Sequence, residues 1–149
     1  MASPLHRQVA NMRKALFDQG FLDEQFVQLE ELQDDVNPNF VEEVVTLFYK
    51  DSARTMLNIE AALEQRPLDF GKLDACMHTF KGSCSSIGAR RMKSECSQFR
   101  EFCGERNSEG CLKTYQLVKK EHETLRKKLG NYFQMSRQAG PIETACRPK

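Results

Sequence analysis

The stretch FGKLDACMHTFKGSCSSIGA, residues 70–89, determines the fold class and carries the most reactive side chain of this sequence. Its apolar residues recur at alternating steps of three and four, the period of one buried helix stripe. They are Phe70, Leu73, Met77, Phe80, Cys84 and Ile87. At roughly 100° per residue, the centre of that stripe lies about 130° around the helix from His78. We therefore expect His78 on the outer face of a helix.

The residues that share the outer face with His78 are nearly all small. They are Gly71, Asp74, Ala75, Gly82, Ser85 and Ala89. Lys81 and Gly82 follow His78 by three and four positions, so both are its neighbours on the helix surface. This pattern predicts a shallow furrow that another protein can approach closely, with Ala75, Ser85 and Ala89 as docking positions.

Two interpretations of His78 compete: a surface histidine with no task, and a nucleophile or proton carrier. Neutral imidazole has an unperturbed pKa of about 6.5 and is a competent nucleophile near neutral pH. Lys81 can neutralise an anion formed on the ring, and Gly82 removes the side chain that would block access. The coincidence of these three features favours the reactive histidine.

The remainder of the chain also has helical patterns, so the predicted fold is all-α. Four helices of 15 to 30 residues with short connections indicate an antiparallel up-down four-helix bundle, with two additional short N-terminal helices. Asn37-Pro38 is a strong start signal for the first long helix. We predict a single domain in three parts: N-terminal helices over 1–36, the bundle over 37–139, and a disordered tail over 140–149.

Composition excludes several classes of function. The 149 residues carry a formal net charge of +1, so binding to nucleic acid through bulk electrostatics is not expected. No segment has the 18 or more apolar residues of a membrane span, so no membrane partner is expected either. The six cysteines include no C-x-x-C pair and have no histidine at metal-ligand spacing. Buried free thiols in a reducing compartment, cytosol or nucleus, are the simpler interpretation.

The motifs of common enzymes are missing. Lys81 precedes Gly82, whereas a phosphate-binding P-loop places its lysine after the glycines. The serines at 83, 85 and 86 have no G-x-S-x-G elbow. His122 lies in an apolar seam between Val118 and Leu125 and is read as a semi-buried core residue, and His6 has no partner nearby in sequence. A single nucleophile without surrounding machinery suits a carrier whose partners supply the catalysis.

A histidine can carry a phosphoryl group as a phosphoramidate, which is reactive enough to pass the group onward. Transfer needs in-line approach of the donor, positive charge beside the phosphate, and a metal ion. Lys81 supplies the charge, and Gly82 with its small neighbours supplies the access. We expect no cofactor or metal bound by this chain, with Mg²⁺ supplied by the partner.

The motif H-x-x-K-G-S at 78–83, followed by Ile87-Gly88-Ala89, resembles the signature of histidine-containing phosphotransfer (HPt) proteins. From about residue 5 to residue 132 the chain is similar to plant HPt proteins of the cytokinin two-component phosphorelay. The resemblance implies that His78 accepts phosphate from a receiver-domain aspartate of a hybrid sensor histidine kinase. His78 then passes it to an aspartate of a response regulator, in cytoplasm and nucleus.

The same resemblance gives roles to the neighbours of His78. Lys81, Gly82 and Ser83 match the family pattern and support the phosphorylated histidine. It implies a mediator without kinase activity of its own, and a monomer is the default. Thr79 stands where plant members often have glutamine, and Cys84 where a second serine is common.

Neither departure removes the nucleophile, which separates this chain from pseudo-HPt members that lack the histidine. Two alternatives stay open. One is a non-catalytic helical adaptor that docks receiver domains through the furrow without phosphoryl chemistry. The other, a metal- or nucleotide-dependent enzyme, has the least support from the residues.

Overall fold

The computed structural model describes residues 3–140, and helices account for most of them. The six helices are α1 (Pro4–Asp18), α2 (Glu24–Leu32), α3 (Phe40–Glu64), α4 (Phe70–Ile87), α5 (Arg90–Gly104) and α6 (Ser108–Ala139). Helices α3 to α6 form the antiparallel bundle, and α1 and α2 are the two additional short N-terminal helices. The predicted all-α fold class is confirmed. No helix in the described part of the chain is long and apolar enough to cross a membrane.

The apolar stripe of α4 lies at the centre of the bundle. Five of its six members are fully inaccessible to solvent: Leu73, Met77, Phe80, Cys84 and Ile87. Helix α4 packs against α3 on one side and α5 on the other, and α5 packs against α6. Burial of this stripe on two neighbours fixes the rotation of α4 about its axis. The opposite face of α4 is thereby turned to solvent.

Capping side chains set the helix starts. The carboxylate of Asp69 accepts the N–H of Lys72 at 3.0 Å, as its position before α4 suggests. The predicted start of α3 at Asn37-Pro38 is wrong by two residues, because α3 begins at Phe40 after Asn39. The carboxylate of Asp34 instead accepts the N–H of Asn37 at 2.8 Å, which holds that segment in a turn.

The connection from α4 to α5 depends on Gly88, which adopts the left-handed conformation with φ of 73°. A Cβ at this position would lie 2.7 Å from the backbone nitrogen of Phe26, so the close approach of α2 also requires glycine. The next residue, Ala89, donates its N–H to the carbonyl of Cys84 at 3.0 Å and is fully buried against the segment containing Leu22.

The predicted docking role of Ala89 is therefore wrong. The helical wheel placed Ala89 beside His78, but α4 ends at Ile87 and the chain turns inward two residues later. Helical geometry cannot be extended through the left-handed residue Gly88.

The two N-terminal helices pack on the bundle. Helix α1 packs along α6, and α2 lies against α3 and α4. Arg13 of α1 donates hydrogen bonds to the carboxylate of Glu30 of α2 from Nε, at 2.9 and 3.3 Å to the two oxygens, and from Nη2 at 2.6 Å. The prediction that His6 has no partner nearby in sequence is wrong, because its Nδ1 lies 2.8 Å from the hydroxyl oxygen of Ser3. Its Nε2 lies 2.8 Å from the carbonyl oxygen of Gly140. The predicted tail lies outside the described residues apart from Gly140.

Candidate phosphotransfer site

His78 lies in the middle of α4 with its side chain exposed to solvent. Among the predicted neighbours, Ala75 and Gly82 are exposed and Ser85 is half-buried. A Cβ built on Gly82 would meet no heavy atom within 4 Å. The surface beside the imidazole is therefore open, as the helical wheel predicts.

Lys81 is half-buried one turn after His78, so part of its aliphatic stem is covered by protein. Within the part of the chain that the structure describes, its ammonium group has no carboxylate partner. An unpaired cation beside an exposed imidazole can neutralise an anionic group that arrives there.

Arg100 of α5 completes the site, and the sequence reasoning missed it. Its Nη1 lies 3.0 Å from Nδ1 of His78. The same guanidinium donates from Nε to Oδ1 of Asp74 at 2.8 Å and from Nη2 to Oδ2 at 3.4 Å. This hydrogen bonding by Arg100 lowers the pKa of Asp74, and Asp74 raises the pKa of Arg100. Asp74 thus anchors Arg100 against the imidazole.

Asp74 could be placed from sequence because it precedes His78 by four residues on one helix. Arg100 is 22 positions along the chain from His78, on the next helix. Its only sequence signal is a charged residue directly after the buried Phe99, at the edge of the buried face of α5. That signal places Arg100 at the edge of the buried face of α5, but it does not identify His78 as its partner on α4.

Ser83 and Thr79 lie away from the imidazole. Ser83 follows His78 by five residues, which turns its side chain about 140° around the helix. The hydroxyl of Ser83 donates to the carbonyl oxygen of Thr79 at 3.4 Å. The hydroxyl of Thr79 in turn donates to the carbonyl oxygen of Ala75 at 3.3 Å. The structure does not bring the Ser83 hydroxyl to His78. Cys84 is buried in the core, as predicted.

No group of three or more potential metal ligands occurs among residues 3–140. The other central histidine, His122, is half-buried with its Nε2 2.9 Å from the hydroxyl of Ser52. Burial lowers the pKa of His122 to about 4, so its imidazole is neutral near pH 7. This confirms its interpretation as a semi-buried core residue. The chemistry of the α4 surface therefore consists of an imidazole, an unpaired lysine and an arginine–aspartate pair.

The profile of the Hpt domain matches residues 43–128, which include α4, α5 and most of α3 and α6. The chain belongs to the Hpt family. It is 64% identical over 118 residues to histidine-containing phosphotransfer protein 4 of Arabidopsis thaliana, covering 79% of this chain and 93% of that protein. It is also 61% identical over 144 residues to pseudo histidine-containing phosphotransfer protein 5 of Oryza sativa subsp. japonica, covering 97% of this chain and 95% of that one.

A crystal structure of a histidine-containing phosphotransfer protein from Medicago truncatula superimposes with a TM-score of 0.87 at 42% identity. The match covers 94% of this chain and 97% of that one. Plant Hpt proteins act in two-component phosphorelays with kinases and response regulators. The expected relationship to plant HPt proteins is confirmed.

Proposed function

We propose that this chain is a phosphorelay intermediate that carries the phosphoryl group on His78. It accepts the group from the receiver-domain aspartate of a hybrid sensor histidine kinase and passes it to the aspartate of a response regulator. The observation that supports this proposal is the exposed imidazole of His78 beside the open position Gly82. That opening gives a partner's aspartyl phosphate an in-line approach to the ring.

The charges around His78 suit a transferring phosphoryl group. Lys81 is unpaired within the described residues, so its ammonium is available to the equatorial phosphoryl oxygens. The chain contributes the nucleophile and this charge, and the receiver domain contributes Mg²⁺ and the phosphoryl donor. The protein then has no kinase activity of its own.

The biological setting is part of the same proposal. The relay is that of cytokinin signalling, and the protein acts as a monomer in both cytoplasm and nucleus. The likeness to plant HPt proteins over most of the chain supports this setting. Comparing cytokinin-induced phosphorylation in cells expressing tagged wild type or His78→Gln tests it, together with imaging of the tag.

The direct test is phosphotransfer from a purified receiver domain labelled on its aspartate in the presence of Mg²⁺. Wild type should gain one acid-labile label, and His78→Gln should gain none because it lacks the nucleophile. His6→Gln is the matched control, since His6 lies in α1 at the carbonyl of Gly140 and should leave labelling unchanged. Persistent labelling of His78→Gln would refute the assignment.

A second candidate is the non-catalytic adaptor, which docks receiver domains without phosphoryl transfer. The 61% identity to a protein named as a pseudo histidine-containing phosphotransfer protein supports this second candidate. The two functions differ in one measurement. Receiver binding by wild type without any transfer of label supports the adaptor, whereas transfer to His78 supports the relay.

A further inference from the structure

The two ring nitrogens of His78 are in different situations. Nδ1 lies 3.0 Å from Nη1 of Arg100, whereas Nε2 has no hydrogen-bond partner among residues 3–140. A guanidinium can only donate hydrogen bonds, so Nδ1 must be the acceptor and must lack a proton. In the neutral ring the proton is then on Nε2.

We propose that the Asp74–Arg100 pair holds resting His78 in the tautomer that is protonated on Nε2, and that Arg100 must leave Nδ1 before Nε2 can attack phosphorus. The role in transfer rests on the function proposed above, whereas the tautomer itself does not. In this resting state neither nitrogen is a free nucleophile. The lone pair of Nδ1 accepts a hydrogen bond from Arg100, and Nε2 carries a proton and so has no lone pair in the ring plane.

The doubly protonated ring does not fit this geometry. An imidazolium has N–H donors at both nitrogens, so Nδ1–H would face the N–H of Arg100. The two cations would also repel each other at 3.0 Å. The anchoring of Arg100 by Asp74 keeps its donor on the ring, which selects the neutral Nε2–H form.

Release of Arg100 makes the opposite tautomer favourable. The side chains of Arg100 and Asp74 are 34% and 39% exposed, so the guanidinium has room to turn toward an arriving phosphoryl group. Nε2 then gives its proton to water while Nδ1 takes one from water. In this scheme the Asp74 carboxylate, which precedes His78 by one helical turn on α4, accepts the new Nδ1–H.

Transfer then follows with atoms and charge balanced. The freed lone pair of Nε2 forms a bond to phosphorus as the bond from phosphorus to the aspartyl oxygen breaks. The bonding electrons leave with the aspartate carboxylate. The proton stays on Nδ1, where it partly offsets the charge of the phosphoryl group. Arg100 and Asp74 are positioning residues in this scheme, because they act through the ring of His78.

The tautomer is measurable in the unphosphorylated full-length protein by long-range ¹H–¹⁵N NMR of the histidine rings under conditions where the rings are neutral. Wild type should show Nδ1 of His78 as pyridine-type and Nε2 as pyrrole-type. Arg100→Met should shift the tautomer ratio about tenfold toward Nδ1–H, the effect of losing one partly exposed charged hydrogen bond. Arg100→Lys, which keeps a cationic donor, should restore much of the wild-type ratio.

The double variant Arg100→Met with Asp74→Asn tests the second half of the scheme. Replacing the carboxylate weakens the acceptor for Nδ1–H, so the ratio should move back toward Nε2–H. Pyrrole-type Nδ1 in wild type, or an unchanged ratio in Arg100→Met, would overturn the proposal. These spectra need no receiver domain, so they test the tautomer independently of the relay. Absence of label on His78 in the transfer assay would refute the relay without affecting the conclusion about the tautomer.

Discussion

Lys81 has no ion-pair partner in the described chain, and this makes its charge available beside His78. Replacing it by methionine keeps the length of the aliphatic stem but removes the cation. A hydrogen bond to a charged group contributes about 1.5–3 kcal/mol, so Lys81→Met should slow phosphotransfer to His78 roughly 10- to 100-fold. The initial rate of label transfer from a phosphorylated receiver measures the effect.

The matched control is Lys81→Arg, which keeps the charge and should retain most of the wild-type rate. Because Lys81 has no ion pair to lose, circular dichroism and urea unfolding should be unchanged in both variants. An unaltered rate in Lys81→Met would remove Lys81 from the site.

Substitutions at Gly82 should affect the stability of the fold and the docking of a partner differently. No atom lies within 4 Å of a Cβ at this mid-helix position, so Gly82→Ala should raise the free energy of unfolding by about 0.5–1 kcal/mol. Gly82→Leu should also fold, but its side chain would obstruct the partner and slow transfer at least about tenfold, since a misplacement of about 1 Å can cost roughly a hundredfold. Urea unfolding measures the change in stability, and the initial rate of label transfer measures the effect on docking.

Gly110→Ala is the contrasting variant, because its Cβ would lie 2.5 Å from the ring of Phe102. Overpacking of this kind costs about 1–3 kcal/mol, so this variant should lose stability where Gly82→Ala gains it. Unfolding of Gly82→Leu would mean that position 82 is not open.

At the scale of helices, polar contacts around His122 join α3 to α6. Ser52 of α3 hydrogen-bonds Nε2 of His122 at 2.9 Å, and the hydroxyl of Tyr49 donates to the backbone carbonyl of His122 at 3.2 Å. Because burial depresses the pKa of His122 to about 4 in the folded state, the unfolded chain binds the proton more readily. The stability contributed by neutral His122 is complete above its unfolded pKa of about 6.5 and declines as pH falls toward 4.

This linkage predicts a pH-dependent difference between wild type and His122→Gln. Between pH 7 and pH 4.5, wild type should lose on the order of 2 kcal/mol more unfolding free energy than the variant. Urea unfolding at both pH values measures that difference. His6→Gln is the control and should follow the wild-type dependence. Equal losses in wild type and His122→Gln would show that His122 does not drive the acid sensitivity.

The elements differ in how far sequence alone could place them. The period of the α4 stripe predicted that Phe80 is buried and His78 exposed, because burial on two neighbours depends only on helical spacing. Ala89 was misplaced because a left-handed glycine ends the helix before it. Arg100 was missed because contacts across two helices depend on their packing and relative height, which the spacing within one helix does not determine.

At the scale of the whole molecule, α1 and the site occupy different parts of the structure. Helix α1 contacts α6, whereas His78 lies on α4 and its arginine partner on α5. Leu16 is 4% exposed, and the ring of Phe17 lies edge-on to that of Phe26 with centroids 6.1 Å apart. Helix α1 should therefore contribute to stability without taking part in transfer.

Deletion of residues 1–19 tests this separation. Loss of Leu16, Phe17 and the half-buried Arg13–Glu30 pair should lower the free energy of unfolding by about 3 kcal/mol, or the melting temperature by roughly 6–12 °C. The transfer rate to His78 at low temperature should stay within about twofold of wild type, as expected for distant independent sites. Arg13→Ala, which removes the ion pair but keeps α1, should cost under about 1 kcal/mol. A folded deletion variant that transfers phosphate tenfold more slowly would show that α1 is coupled to the α4 surface, and the site would then extend through α6 and α5.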